Sequence, residues 1–267
     1  MDPAEVAERA RLVAQAWDAS RAAAAWRAGY HPMGDVVQPP RGGWRGRADE
    51  QAYRERNFVL RAALPAAPPG YGRAVWAAGQ RQLTRPVQGA GAAYEALSGG
   101  RAGKGSRLTV TGVRLGDMTL ATSGGPAVVP AWLFTLDGYD TPLRRAALVA
   151  SEPPSSPVGE ARGVPGGPLE HLSRVAADGR SVTVGAFRGD CGGGLAVDVL
   201  ETGGTVVLTV SLGERGSGGL CTKRAGLRET TVRLERALGE RLLLDSYTGR
   251  SVPNRDAAMK VLPVSGS

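Results

Sequence analysis

A chain of 267 residues, 42% hydrophobic and 22% charged, has room for one large domain or two ordinary ones and is too apolar to be disordered. Its 39 Gly and 18 Pro argue against an all-helical protein and for many short strands and turns. The net charge of +8 does not point to specific nucleic-acid binding: the basic residues sit singly among apolar or acidic neighbours, and Arg vastly outnumbers Lys104, Lys223 and Lys260, as GC-rich coding would produce.

A modest attraction to anionic surfaces such as teichoic acids or lipid headgroups is what the charge leaves open. No run of 18 apolar residues occurs, so no membrane-spanning helix is expected. The opening MDPAEVAERARLVAQAW lacks a basic stretch followed by an apolar one and does not read as a signal peptide, which taken alone points to the cytosol.

Residues 3–28 repeat apolar positions at helical spacing, with Val6, Ala10, Val13, Ala14, Trp17 and Ala24 on one stripe. Asp2-Pro3 supplies an N-cap and a first-turn proline, Glu5 and Glu8 suit the dipole, and Gly29 is a natural stop. This is an amphipathic N-terminal helix over 1–28. Residues 29–46, GYHPMGDVVQPPRGGWRG, are too punctuated by Gly and Pro for a long element and read as a loop on the core.

A short helix from Asp49, a strand through Phe58 and Leu60, a hairpin over GRAVWAAGQRQLTRPV and a short helix ending on Gly99 follow. Three apolar runs, 107–115, 117–123 and 126–136, separated by Gly-Asp and Gly-Gly turn signals, predict an antiparallel meander. Together these make a β-rich domain over 29–148. Residues 149–171 are rich in Pro, Ser and Gly without apolar period and read as a linker.

Beyond it, SVTVGAF, LAVDVLETGGTVVLTVSL, LRETTVRLERAL and RLLLDSYTGRSV alternate or run apolar over strand length, with a hairpin closing at Thr202-Gly203-Gly204. They predict a small all-β sandwich or barrel over 172–253, with 254–267 as a frayed tail. The fold class is therefore α+β, mainly antiparallel β.

Cys191 precedes the first strand of that hairpin and Cys221 follows the second, and the two ends of a hairpin are neighbours, so a disulfide is geometrically natural. It would close a loop worth about 3–4 kcal/mol and implies an oxidising compartment. Two free buried thiols are the alternative. His31 and His171, the only histidines, stand at no ligand spacing from either cysteine, so no metal is expected, and no cofactor motif is present.

SGGRAGKGS at 98–106 has the glycines of a phosphate loop, but Gly105 follows Lys104 where Ser or Thr is needed. The tripeptide Arg188-Gly189-Asp190 is common by chance. No G-x-S-x-G, S-x-x-K or H-E-x-x-H pattern occurs, and carboxylate pairs such as Asp137 with Asp140 read as a solvated turn before they read as acid/base machinery. The least ordinary stretch is AWRAGYHPMGDVVQPPRGGW, where Trp26, Tyr30, His31 and Trp44 either form a platform for sugars or peptides or pin the loop to the core beside Trp132 and Tyr139.

That stretch, together with VTGVRLGDMTLATSGGPAVVPAWLFTLDGY and VLETGGTVVLTVSL…CTKR…RLLLDSYTGRSV, resembles uncharacterised exported proteins and putative lipoproteins of streptomycetes and related actinobacteria, over residues 5–253. The resemblance transfers no catalytic residue. It implies export, with a lipid-bearing Cys upstream of a helix like this one, and so a place outside the cell or on the outer face of the cytoplasmic membrane.

The sequence thus points to a non-enzymatic envelope accessory protein whose partner is an envelope protein or wall component. An envelope hydrolase acting through carboxylates and a cytosolic interaction module are the rival readings.

Overall fold

The computed structural model describes residues 3–66, 70–76, 81–99, 105–161, 167–189, 195–211 and 225–255. The fold is α+β, with four helices and a predominance of strands in antiparallel and mixed sheets among the described residues. Helix α1 (Pro3–Trp17) buries the expected stripe Val6, Ala10, Val13, Ala14 and Trp17. It does not continue to residue 28.

Ala19 takes φ +58, a left-handed conformation that an L side chain adopts at a cost, and Ser20 then starts α2 (Arg21–Ala28) by accepting the Ala23 N–H at 3.0 Å. The break shifts the helical phase: Ala23 and Trp26 are buried and Ala24, expected on the stripe, is exposed.

After β1 (Val37–Gln38) and α3 (Arg47–Arg54) come β2 (Phe58–Leu60), β3 (Tyr71–Trp76) and β4 (Gln82–Pro86). Helix α4 (Ala90–Ser98) ends as expected on Gly99, whose φ of +63 lets its N–H reach the Glu95 carbonyl. The expected meander is instead one long hairpin, β5 (Leu108–Thr122) and β6 (Gly125–Leu136), followed by β7 (Leu143–Ala146). Gly116 makes no turn. It sits inside β5 because a Cβ there would come within 2.6 Å of Leu133 Cδ1, so its bare backbone seats that side chain.

The C-terminal strands are β8 (His171–Val175), β9 (Ser181–Gly189), β10 (Ala196–Glu201), β11 (Thr205–Ser211), β12 (Ala225–Arg233) and β13 (Leu242–Asp245). They form two three-stranded sheets, β10-β11-β13 and β12-β9-β8. The β10–β11 hairpin turns on Thr202–Gly204 as read from the sequence, with Thr202 Oγ1 accepting the Gly204 and Thr205 N–H groups. Two features differ from expectation: β13 pairs parallel to β11, and β8 is a strand where the end of a linker and the start of a domain were expected.

The chain groups into two compact units, one of residues 1–35, 121–125 and 151–267, the other of residues 36–120 and 126–150. The N-terminal helix is therefore not a domain of its own. In the first unit every residue from Thr205 to Val210 is buried, so both faces of β11 are covered, and α1 packs on this strand. Ala10, Val13, Ala14 and Trp17 share one core with Val182, Val184 and Ala186 of β9 and Leu242–Leu244 of β13.

The supposed linker is tied to the same unit: the Ala161 N–H donates to the Tyr247 carbonyl, the Glu170 N–H to Gly185, and Leu169 is buried. The expected boundaries at 28 and 171 are not divisions between the units, because these backbone bonds and the α1 stripe find their partners among the C-terminal strands, whereas the division at 150/151 lies two residues from the expected one at 148. In the second unit one mixed sheet runs β1-β7-β6-β3-β4, with β5 on β6 and β2 parallel to β5.

Candidate functional site

The four aromatic-loop residues divide between the units. Trp26, Tyr30 and His31 are buried in the first, Tyr30 completely. The Trp26 and His31 rings stack at 3.8 Å and 3°, and Gly29 admits this because a Cβ there would fall 2.3 Å from His31 Nε2.

The backbone is pinned on both sides. The Tyr30 N–H donates to Ser151 Oγ, and its carbonyl accepts the Ser151 N–H. The His31 carbonyl accepts the Ser123 N–H, and the Met33 N–H donates to Ala121. Burial raises the Tyr30 hydroxyl well above its ordinary value, as expected of a core phenol. These three residues do not form an exposed platform. The burial of their rings assigns them to the core.

Trp44 is different. It belongs to the second unit, is only half-buried, and is the centre of an aromatic wall. The sequence builds the wall locally. Pro40 to Gly43 close a turn, with the Gly43 N–H on the Pro40 carbonyl, and Gly42 and Gly43 both take positive φ, +90 and +83. That leads Trp44 into the start of α3, which carries Asp49 and Tyr53.

The Trp44 ring lies 4.8 Å from Tyr53 at a 31° tilt and 6.1 Å from Tyr139 edge-on, and Tyr53 is backed by Phe58 at 6.4 Å. The Tyr139 hydroxyl donates to Asp49 Oδ2 at 2.6 Å and accepts the Arg45 N–H at 3.2 Å. Burial, reinforced by the Asp49 carboxylate, raises the Tyr139 phenol above its ordinary value.

Arg45 lies over the Tyr139 ring and donates to the Gly138 carbonyl. Gly138 is required twice: its φ is +74, and a Cβ would coincide with Arg45 Nη1, 1.9 Å away. Arg41 is held beside the same turn by its N–H on Thr141 Oγ1. The wall is thus rigid and apolar, with guanidinium donors and carboxylate acceptors at its rim. Trp44 and Tyr139 were legible as partners in the sequence; Tyr53, Asp49 and Arg45 carried no signal beyond lying within ten residues of Trp44.

A second polar cluster lies on the sheet β12-β9-β8. His171 of β8 and Glu229 of β12 are both register partners of Gly185 in the strand between them. A Cβ on Gly185 would come within 2.5 Å of the His171 ring, so this glycine lets the imidazole cross the strand and place Nε2 at 3.1 Å from Glu229 Oε1. The same oxygen accepts from Ser173 Oγ at 2.7 Å and from Arg255.

Burial alone would raise Glu229, but the hydrogen bonds from Ser173 and His171 and the Arg255 charge outweigh it and hold the carboxyl below its ordinary range. Serine and histidine converge on one carboxylate oxygen here and do not chain Ser to His to acid, which a hydrolytic triad requires. The cluster fastens three segments together. Of its residues only His171 could be weighed from the sequence, and that as a metal ligand; Ser173, Glu229 and Arg255 carried no signal, being 2 to 84 residues from it along the chain.

No group of three or more His, Cys, Asp or Glu that could hold a metal occurs among the described residues. No helix among them is long and apolar enough to cross a membrane. Cys191 and Cys221 lie outside the described residues. Compared with protein-family models, curated proteins and solved structures, the chain matches none.

Proposed function

We propose that this protein is a non-enzymatic binding or accessory protein of the cell envelope, carrying its ligand surface at Trp44. The observation behind the reading is the braced aromatic wall: a half-exposed Trp ring held by Tyr53 and Tyr139, with Arg45 and Asp49 at its edge. Preorganised aromatic anchors of this kind supply contact area without an ordering penalty. A carboxylate hydrolase is less well supported, since Asp49 is taken by Tyr139, and Glu229 by Ser173, His171 and Arg255.

Export, with a lipid-bearing cysteine upstream of α1, rests on the resemblance to exported actinobacterial proteins and on the cysteine pair. Cys191 is two positions past Gly189 and Cys221 four before Ala225, and those two residues are register partners in β9 and β12. Chain reach of about 3.5 Å per residue allows the bridge from there. On this reading the two C-terminal sheets form the small sandwich that the bridge staples.

Isolated cell walls of an actinobacterium should sediment the protein, and Trp44→Ala should remain in the supernatant while still unfolding in one cooperative transition. Equal sedimentation of the two would remove Trp44 from the reading. Intact mass of the protein from its native host should show two cysteine alkylations only after reduction. Alkylation before reduction would favour the cytosolic interaction module.

A further inference from the structure

We infer that the Trp44 wall takes a neutral carbohydrate and not an anionic wall polymer. This rests on the binding reading above and adds the class of ligand. The net charge of +8 would suggest the opposite, a chain drawn to polyphosphates or uronates. The charge around the wall does not follow the chain.

The two segments that build it, residues 41–56 and 137–141, carry five arginines against five carboxylates; Arg54 is paired with Glu50, Arg56 is bound to the Ala96 and Leu97 carbonyls and Asp49 to Tyr139, which leaves Arg41, Arg45 and Arg47 against Glu55, Asp137 and Asp140. Asp137 and Asp140 are exposed and flank Tyr139, opposite in sign to the exposed Arg41 and Arg45 that approach the same turn. An anionic polymer would meet repulsion there as often as attraction. Interspersed guanidinium donors and carboxylate acceptors instead match sugar hydroxyls, which both donate and accept.

The aromatic geometry fits the same ligand. The C–H bonds on the face of a pyranose ring are positive at hydrogen and pack on the negative face of an indole. Trp44 is fixed from two sides, so stacking on it orders nothing further.

The test uses the full chain in affinity electrophoresis through gels carrying, separately, a neutral glucan, a neutral N-acetylhexosamine polymer and polyglycerol phosphate, each at about 50 mM and about 500 mM NaCl, where screening length falls severalfold. Retention by a neutral glycan is expected, unchanged by salt, lost at least about tenfold in Trp44→Ala and kept in Trp44→Phe, as for a stacked aromatic anchor. Trp44-dependent retention by polyglycerol phosphate alone, abolished at high salt, would overturn the neutral class and leave the wall as a binding surface. No Trp44-dependent retention in any gel would overturn this inference; failure of the parent protein to sediment with cell walls as well would overturn the binding reading.

Discussion

Trp17→Ala is expected to remove about 3–5 kcal/mol of folding stability, the usual range for deleting a fully buried tryptophan, out of a total of roughly 5–15 kcal/mol for a domain. Trp17 is completely buried at the end of α1, and its indole N–H donates to the Gly249 carbonyl at 2.8 Å. The substitution leaves a cavity in the core shared with β9, β11 and β13 and takes one of two donors from the Gly249 carbonyl at the turn after β13, the other being Ser156 Oγ.

Trp17→Phe keeps most of the volume and loses mainly the hydrogen bond, so it should cost about 1–2 kcal/mol. Urea unfolding of the three proteins checks both figures. A loss below about 1 kcal/mol in Trp17→Ala would mean that α1 is not integral to this core.

Glu201→Gln should be nearly as damaging, at about 3 kcal/mol, because it leaves a buried guanidinium without its counter-charge. Both side chains of the Glu201–Arg241 pair are about one-tenth exposed, with 2.7 Å between Nη1 and Oε2. Arg241 also donates to the carbonyls of Arg236, Ala237 and Leu238, and Glu201 accepts the Glu235 and Arg236 N–H groups. One ion pair thus holds the end of β10 to the turn before β13.

Burial opposes ionisation of Glu201, but the bonds from Arg241, Glu235 and Arg236 prevail and hold its pKa below the ordinary 4.5. A carboxyl depressed on folding contributes stability that is complete above its unfolded value and is lost as the pH falls below it. The parent should therefore lose stability below about pH 4.5 by a term that Glu201→Gln lacks, and the gap between the two should narrow in acid. Unfolding curves at pH 7 and pH 3.5 test this; a gap that widens in acid would exclude the pair as its source.

Strand positions were largely legible, because half-buried strands alternate and the turn residues Thr202-Gly203-Gly204 and Gly99 act through backbone conformations that sequence encodes. Ala19 was not legible: nothing in an alanine announces φ +58, and only Ser20, read as a cap, would have divided the helix. Gly116 next to Asp117 mimics a turn, yet its small size is used against Leu133.

Strand β8 escaped because a register shift between Leu172 and Arg174 breaks its alternation. The parallel pairing of β13 escaped because LLLD is buried throughout and carries no period. The aromatic loop was correctly seen as unusual, but proximity in sequence misled: the division between the units falls at 35/36, separating His31 from Trp44.

The interleaving of the two units has a consequence for biosynthesis. A nascent chain that has left the ribosome as far as residue 150 contains every segment the second unit uses, so that unit can close during translation. Helix α1 must wait: the strand it packs on, β11, begins only at residue 205. Until then its apolar stripe, ending in Trp17, has no native cover, so the first unit can close only after the second.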